Sequence, residues 1–219
     1  MYRKTFKRVI DILVSLIGVS ILSPLIIVLI VLLSLQNNFK PFFIQNRVGK
    51  NNKIFKVVKF KTMNDKKDKD GNLLKDKYRL TLLGTFIRKS SLDEMPQLFN
   101  IIKGDMSLVG PRPLLTEYLP YFNDYHIRRH EVLPGITGLA QVKGRNYLKF
   151  SERFDLDVSY VDNLSFFLDV KIIAKTFKKV FKTSEISMGR KMSEIDDIGI
   201  TKGLSSHYFN VDENNIDAN

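Results

Sequence analysis

The chain contains no cysteine. A disulfide framework and a cysteine-ligated metal site are therefore excluded. No small-x-small cleavage site follows the basic start "MYRKTFKR", so removal as a signal peptide is not expected. No internal repeat is visible. Charge is nearly missing from one long stretch: between Val9 and Leu35 the only ionisable residue is Asp11.

The whole sequence is otherwise rich in charge. Its 219 residues suffice for one compact domain plus the apolar segment, and 26% charged with 44% hydrophobic residues is ordinary globular composition. The formal net charge of +12 suits nucleic acid, an anionic membrane surface or phosphorylated substrates. A long apolar segment beside basic clusters favours the last two. No nucleic-acid-reading motif is identifiable, so no nucleic-acid partner is expected.

As a straight helix the apolar run would reach about 40 Å, beyond the ~30 Å hydrocarbon core of a bilayer. Ser23-Pro24 interrupts it. Proline disfavours a straight helix, and the serine hydroxyl can satisfy a freed backbone group. Arg3, Lys4, Lys7 and Arg8 precede the run, and Lys40, Arg47, Lys50, Lys53, Lys56, Lys59 and Lys61 follow it. Positive charge favours the cytoplasmic side, so both flanks ask for the same side. A kinked spanning helix and a re-entrant helix–break–helix both remain open on these features.

Beyond the run, Phe42 to Thr62 alternates in places ("KIFKVVKFKT") and reads as strand or extended structure, and "NDKKDKDGNLLKDK" reads as a charged loop. "RLTLLGTFIRK" and "SSLDEMPQLFNIIKG" read as helices, the second with Leu98, Phe99 and Ile102 on one face and Gly104 as its stop. "MSLVGPRPLL" is a short strand entering a rigid loop, and "PGITGLAQVKGRN" is turn, strand, turn. Residues from Ser151 to Asn163 and from Leu168 to Thr183 form two more helices. The last is amphipathic and basic, which suits either an anionic membrane surface or a core-packed helix with a solvated lysine face. From Ser184 the chain is mostly polar.

Asp93-Glu94 is the first chemistry-bearing pair. Ser90-x-x-Asp93 and Ser91-x-x-Glu94 both fit a capping box, which needs no function. Neighbouring helical residues point about 100° apart, so the two carboxylates suit separate tasks rather than one shared proton. Arg112 lies between two prolines in "GPRP", a restrained position suited to phosphate recognition or to a plain turn. Arg145 follows a glycine in "KGRN", and Arg88 precedes the acidic pair by about a turn. His126 and His130 have i, i+4 spacing, but without a third ligand they read as a surface face rather than a zinc site.

"TLLGTFIRKSSLDEMPQLFNIIKGDMSLVGPRPLL", "PGITGLAQVKGRN" and "KRVIDILVSLIGVSILSPL" together resemble the bacterial sugar transferases, small monotopic phosphoglycosyltransferases that begin glycan assembly on polyprenyl phosphate. The likeness runs from about residue 1 to 183. It departs at Leu139 and Lys143, where many relatives carry Trp and Asn. The resemblance implies an α+β, mainly helical fold in three parts: a re-entrant membrane helix with a basic N-terminus over 1–38, a cytosolic membrane-associated catalytic domain with amphipathic interfacial helices and short strands over 39–183, and a polar tail over 184–219. It implies transfer of sugar-1-phosphate from a UDP-sugar to polyprenyl (undecaprenyl) phosphate, with release of UMP, at the cytoplasmic face of the bacterial inner membrane. Anionic lipids are the surrounding partners.

By the same resemblance Asp93 matches the nucleophile and Glu94 a ligand of Mg²⁺. Arg88, Arg112, Arg145 and Lys59 match phosphate or substrate contacts. Asp169 matches a catalytic or merely helix-capping acid. Lys7 and Arg8 lie near the lipid phosphate or anchor the interface, and Ser23-Pro24 is the membrane helix break. The competing expectation is a non-catalytic, membrane-anchored basic scaffold.

Overall fold

The computed structural model describes residues 1–144, 147–181 and 192–200. These are mainly helical with short strands. A π-helical turn over Tyr2–Phe6 leads into α1 (Lys7–Gln36). The antiparallel hairpin β1 (Phe42–Val48) and β2 (Ile54–Phe60) follows. A charged loop carries the short α2 (Asp76–Arg79) and leads to α3 (Leu82–Lys89). A 3₁₀ turn, Leu92–Glu94, precedes α4 (Gln97–Lys103). Strands β3 (Ser107–Val109) and β4 (Gly135–Thr137) pair in parallel across two 3₁₀ segments, Thr116–Tyr121 and His126–Glu131. Then come α5 (Leu139–Lys143), α6 (Phe150–Asp162), α7 (Phe166–Phe181) and the short α8 (Met192–Ile195).

Among the described residues α1 alone is long and apolar enough to cross a membrane. Its helical structure runs through Pro24 without interruption. The expected division into two helices is therefore absent, although the serine acts as expected. Proline cannot donate to the Ser20 carbonyl four residues back, and Ser23 Oγ donates to that carbonyl instead, at 2.8 Å. The helix lies along the rest of the molecule. Near its start Arg8 donates to the carbonyls of Ile101 (2.6 Å) and Ile102 (3.0 Å) at the end of α4. One turn on, Asp11 Oδ1 accepts from the Leu108 N–H. Further along, Ile26, Leu29 and Leu33 pack with Phe60, Ile87 and Met95. At the far end Gln36 donates to Thr81 Oγ1 and Asn37 to the Lys61 carbonyl. The rest of the helix leaves large apolar side chains such as Ile17, Ile21 and Leu35 exposed.

Local chemistry sets the elements around the site. Thr81 caps α3 by accepting from the Gly84 N–H, and Gly104 in the left-handed region ends α4 as expected. The face of α4 that carries Leu98, Phe99 and Ile102 is only partly buried. Gln97, Asn100 and Ile101 are buried, whereas Phe99 is half exposed. Asn100 turns inward because its amide donates to the Lys56 carbonyl and accepts from the Val58 N–H, tying α4 to β2. The segment after β4, read as a turn, forms helix α5. Val109, Val132, Val142, Tyr160, Val161 and Ile172 make the core beneath β3, α5, α6 and α7. Part of the polar tail also packs: Ile200 is fully buried in a cluster with Tyr118, Phe150 and Phe154.

Candidate active site

The acidic pair does not sit in a capping box. Ser91 has φ 58° and makes no side-chain cap, while Ser90 Oγ donates back to the Phe86 carbonyl at 2.8 Å. A non-glycine residue in the left-handed region is uncommon and turns the chain sharply. That turn closes α3 and starts the 3₁₀ segment carrying Asp93 and Glu94. Below it, Ile87 and Met95 anchor the segment on α1. Gly84 allows α3 its position, since a Cβ there would lie 1.9 Å from the Thr62 carbonyl oxygen. One turn later Arg88 Nε donates to Thr62 Oγ1 at 2.9 Å.

Two cations converge on Glu94. Lys59 Nζ lies 2.6 Å and Arg112 Nη2 3.0 Å from the same oxygen, Oε1. Lys59 comes no closer than 3.9 Å to Asp93. The two carboxyls are thereby pushed apart in acidity. Burial raises the Asp93 pKa, which Lys59 only partly offsets and Glu94 reinforces. Burial works the same way on Glu94, but Arg112 and Lys59 outweigh it and hold that carboxyl at about 2. One acid is a permanently charged partner of cations, and its neighbour is the more basic carboxylate. Such divergence between adjacent groups assigns different chemical roles.

The cleft containing Glu94 has the hairpin as one wall. Side chains two apart on a strand share a face, and residues directly opposite across the ladder meet. Phe43 faces Lys59, Gln45 faces Val57, and Arg47 lies farther along the same face. All five line the cleft together with Gln97, Arg112 and Pro113. The loop carrying Arg112 is held from behind. Gly110 lies so near the Leu133 carbonyl that a Cβ would approach it to 2.4 Å. Arg129, fully buried, donates to the Arg112 carbonyl (2.8 Å) and pairs with Asp157 through Nε and Nη2 (3.1 and 2.7 Å).

Asp93, Glu94, Lys59 and Arg112 are thus brought together, with Arg88 close enough to favour the Asp93 carboxylate. Arg145 lies outside the described residues. Asp169 is elsewhere, buried and engaged by the N-terminus. Its Oδ2 accepts from Lys7 Nζ and Tyr2 OH, both at 2.7 Å, and its Oδ1 accepts from Tyr160 OH at 2.7 Å. Lys7, expected near a lipid phosphate, is committed to that buried pair, and Arg8 caps α4. His126 and His130 are buried rather than on a surface face. His126 Nε2 meets Asp155 Oδ1 at 3.0 Å, and His130 Nδ1 meets Asn52 Oδ1 at 2.7 Å. Burial, then Arg129, lowers His130 to about 3. No group of three His, Cys, Asp or Glu placed to hold a metal occurs among the described residues.

Sequence reasoning missed Arg47, Gln97 and Arg129 as parts of this region. Arg47 counted only as a flanking charge. The alternation Phe43-x-Gln45-x-Arg47 was the available signal, once the segment is known to be a strand with one face on a cleft.

A sequence profile of the family described as bacterial sugar transferase matches residues 2–183. The chain is 49% identical over 180 residues to a Bacillus subtilis (strain 168) protein called uncharacterized sugar transferase EpsL, covering 82% of this chain and 89% of that one. It is 38% identical over 183 residues to the UDP-N-acetylgalactosamine-undecaprenyl-phosphate N-acetylgalactosaminephosphotransferase of Aeromonas hydrophila, covering 80% and 43%. It is 37% identical over 186 residues to the UDP-glucose:undecaprenyl-phosphate glucose-1-phosphate transferase of Klebsiella pneumoniae, covering 80% and 40%. The chain spans less than half of these last two proteins. Their names share undecaprenyl phosphate and differ in the sugar. With a match over most of its length, including the acidic turn and the arginine loop, this chain belongs to the bacterial sugar transferase family.

Proposed function

We propose that the chain transfers a sugar-1-phosphate from a UDP-sugar to polyprenyl (undecaprenyl) phosphate and releases UMP, as a first membrane step of glycan assembly. The observation that carries this reading is the unequal carboxylate pair: Glu94 clamped by Lys59 and Arg112, and Asp93 next to it left more basic. An Asp93 carboxylate oxygen attacks the sugar-side phosphorus. The bond from that phosphorus to the bridging oxygen breaks, and UMP leaves with the electron pair. A phosphate oxygen of the lipid then attacks the Asp93-bound phosphorus, which frees the carboxylate and forms the polyprenyl diphosphate sugar. A carboxylate suits this work because it is ionised at neutral pH and its mixed anhydride stays reactive. Lys59, Arg88 and Arg112 supply positive charge where the transition state spreads negative charge over phosphate oxygens.

Mg²⁺ suits the donor set. A phosphate-bridging Mg²⁺ takes one or two carboxylates and fills its remaining positions with substrate phosphates and water. Glu94 fits that part, since both its hydrogen bonds fall on Oε1. When bound, the ion would offset charge on the departing UMP.

The reading places the protein on the cytoplasmic face of the bacterial inner membrane, with α1 as a re-entrant anchor. Basic residues flank α1 on both sides, and its two ends bond to one and the same folded body. An active site resting there reaches a dissolved nucleotide sugar and a lipid phosphate together.

Incubation with a labelled UDP-sugar, without lipid acceptor, is expected to leave sugar phosphate on the protein, and Asp93→Asn is expected to cut that label at least about a thousand-fold. An Asp93→Asn enzyme that labels and turns over normally overturns the assignment. Absence of UMP release with every UDP-sugar tested favours a binding scaffold instead.

A further inference from the structure

We propose that Arg47 is a substrate-binding residue of the cleft, taking a phosphate group of the bound substrate, and that the nucleotide sugar supplies this phosphate. The inference rests on the transferase reading above and adds a residue to it.

Three observations converge. The first is placement. Arg47 lines the same cleft as Lys59, Glu94 and Arg112, on the hairpin face that forms its wall. The second is bonding. Lys59 and Arg112 share Glu94, and Arg129 behind the loop has Asp157. Arg47 has no carboxylate within ion-pair distance among the described residues. Its Nη2 donates to the neutral Gln45 Oε1 at 2.6 Å, and its Nη1 reaches the Pro113 carbonyl at 3.4 Å. A guanidinium carries five N–H donors in a planar fork, so most of its capacity for a phosphate remains open. Burial and the nearby Arg112 also bring its pKa down to about 10, and an anion between the two guanidiniums would relieve both effects.

The third observation concerns Gln97. It is 3% exposed and lines the cleft, yet its side-chain amide makes no hydrogen bond among the described residues. That amide is not sealed off from solvent: it opens onto the cleft, where its donor and acceptor are free to meet a bound polar group. The cleft therefore presents two polar side chains, Arg47 and Gln97, arranged for a ligand that is both anionic and polar.

A purely structural Arg47 would serve only to hold Gln45 and the Pro113 carbonyl. The two roles separate in experiment. The full-length protein is purified in nanodiscs as wild type, Arg47→Gln and Arg47→Lys. UMP affinity is measured by calorimetry, and KM is measured separately for the UDP-sugar and for polyprenyl phosphate. Arg47→Gln is expected to weaken UMP binding about ten- to a hundred-fold, the scale of a lost charge-assisted contact, and to raise the UDP-sugar KM to match. Arg47→Lys, which keeps the charge, is expected to recover part of the loss. The ligand-free melting temperature of Arg47→Gln is expected not to fall, because a poorly compensated charge has been removed.

A KM effect confined to polyprenyl phosphate keeps the phosphate role and moves its source to the lipid. Unchanged UMP affinity with both KM values unchanged overturns the proposal. So does an equal loss of ligand-free stability in both variants with normal kinetics. Inorganic pyrophosphate binding, compared between wild type and Arg47→Gln, tests the anion site even if the wild type releases no UMP from any UDP-sugar. Failure of the transferase reading and failure of this inference are thereby distinguishable.

Discussion

Asp93 and Glu94 are adjacent in sequence and opposite in electrostatics. Asp93 has a raised pKa in the fold, so its ionised form is lost as pH falls through a value above the ordinary 3.8, while Glu94, at about 2, stays charged. Formation of the covalent sugar phosphate is therefore expected to decline on an acid limb lying above 3.8, measured in a single-turnover labelling series across pH. The stability effects carry opposite signs. A raised carboxyl pKa means that ionised Asp93 costs stability at neutral pH, so Asp93→Asn is expected to leave the melting temperature unchanged or higher. A lowered one means that Glu94 contributes stability fully above about 4.5, its unfolded value, and loses it as pH falls toward 2. Glu94→Gln also strands Lys59 and Arg112, with an expected cost at pH 7 of about 1–3 kcal/mol by denaturant titration. Behind the loop, Arg129→Met leaves Asp157 buried without its partner and is expected to cost about 3–5 kcal/mol. Circular dichroism during denaturant unfolding would show a smaller loss if that pair is dispensable. The acidic pair and Arg112 were legible as residues. Their division of labour was not, because it depends on Lys59 arriving from β2, more than thirty positions earlier in the chain.

At the scale of elements, α1 combines two properties that pull apart. It is long and apolar enough to span a bilayer, yet its start binds α4 and its end binds the segments around Lys61 and Thr81. A helix crossing the membrane would separate those ends by the thickness of the bilayer. The absence of native cysteine makes the test clean. Single cysteines introduced at Thr5 and at Lys69 are expected to react with a membrane-impermeant maleimide from the same side of inverted vesicles. Labelling from opposite sides would establish a span. The proline and serine were readable from the sequence, including the hydroxyl as a substitute donor. Continuity of the helix through Pro24 was not readable, because packing of Ile26, Leu29 and Leu33 on the body of the protein supports the helix beyond the missing hydrogen bond.

At the scale of the molecule, apolar surface remains uncovered. Along α7, Phe167 and Phe177 are 83% and 62% exposed, and Lys171, Lys175 and Lys178 lie on the adjoining arc at helical spacing. A helix of this kind suits the plane of a membrane interface, with its apolar face toward the acyl boundary and its lysines toward anionic headgroups. The chain has no tryptophan, so Phe177→Trp provides a single reporter. In vesicles containing anionic phospholipid its emission is expected to shift to the blue and to be quenched by brominated acyl chains. Water-like emission without quenching would show that α7 faces solvent.

The sequence by itself determined the family, the long apolar segment with its Ser-Pro pair, the extended character of the lysine-rich stretch after it, the glycine stop of α4 and the residues of the acidic turn. These are local signals: periodicity, turn chemistry and motif order are written in neighbouring positions. Only the tertiary structure decided that Ser91 turns left-handed instead of capping a helix, that Lys7 and Asp169 form a buried pair, and that Arg47 and Gln97 face the cleft. Each of these depends on partners far apart in the chain, where burial and charge act through space and leave no periodic trace.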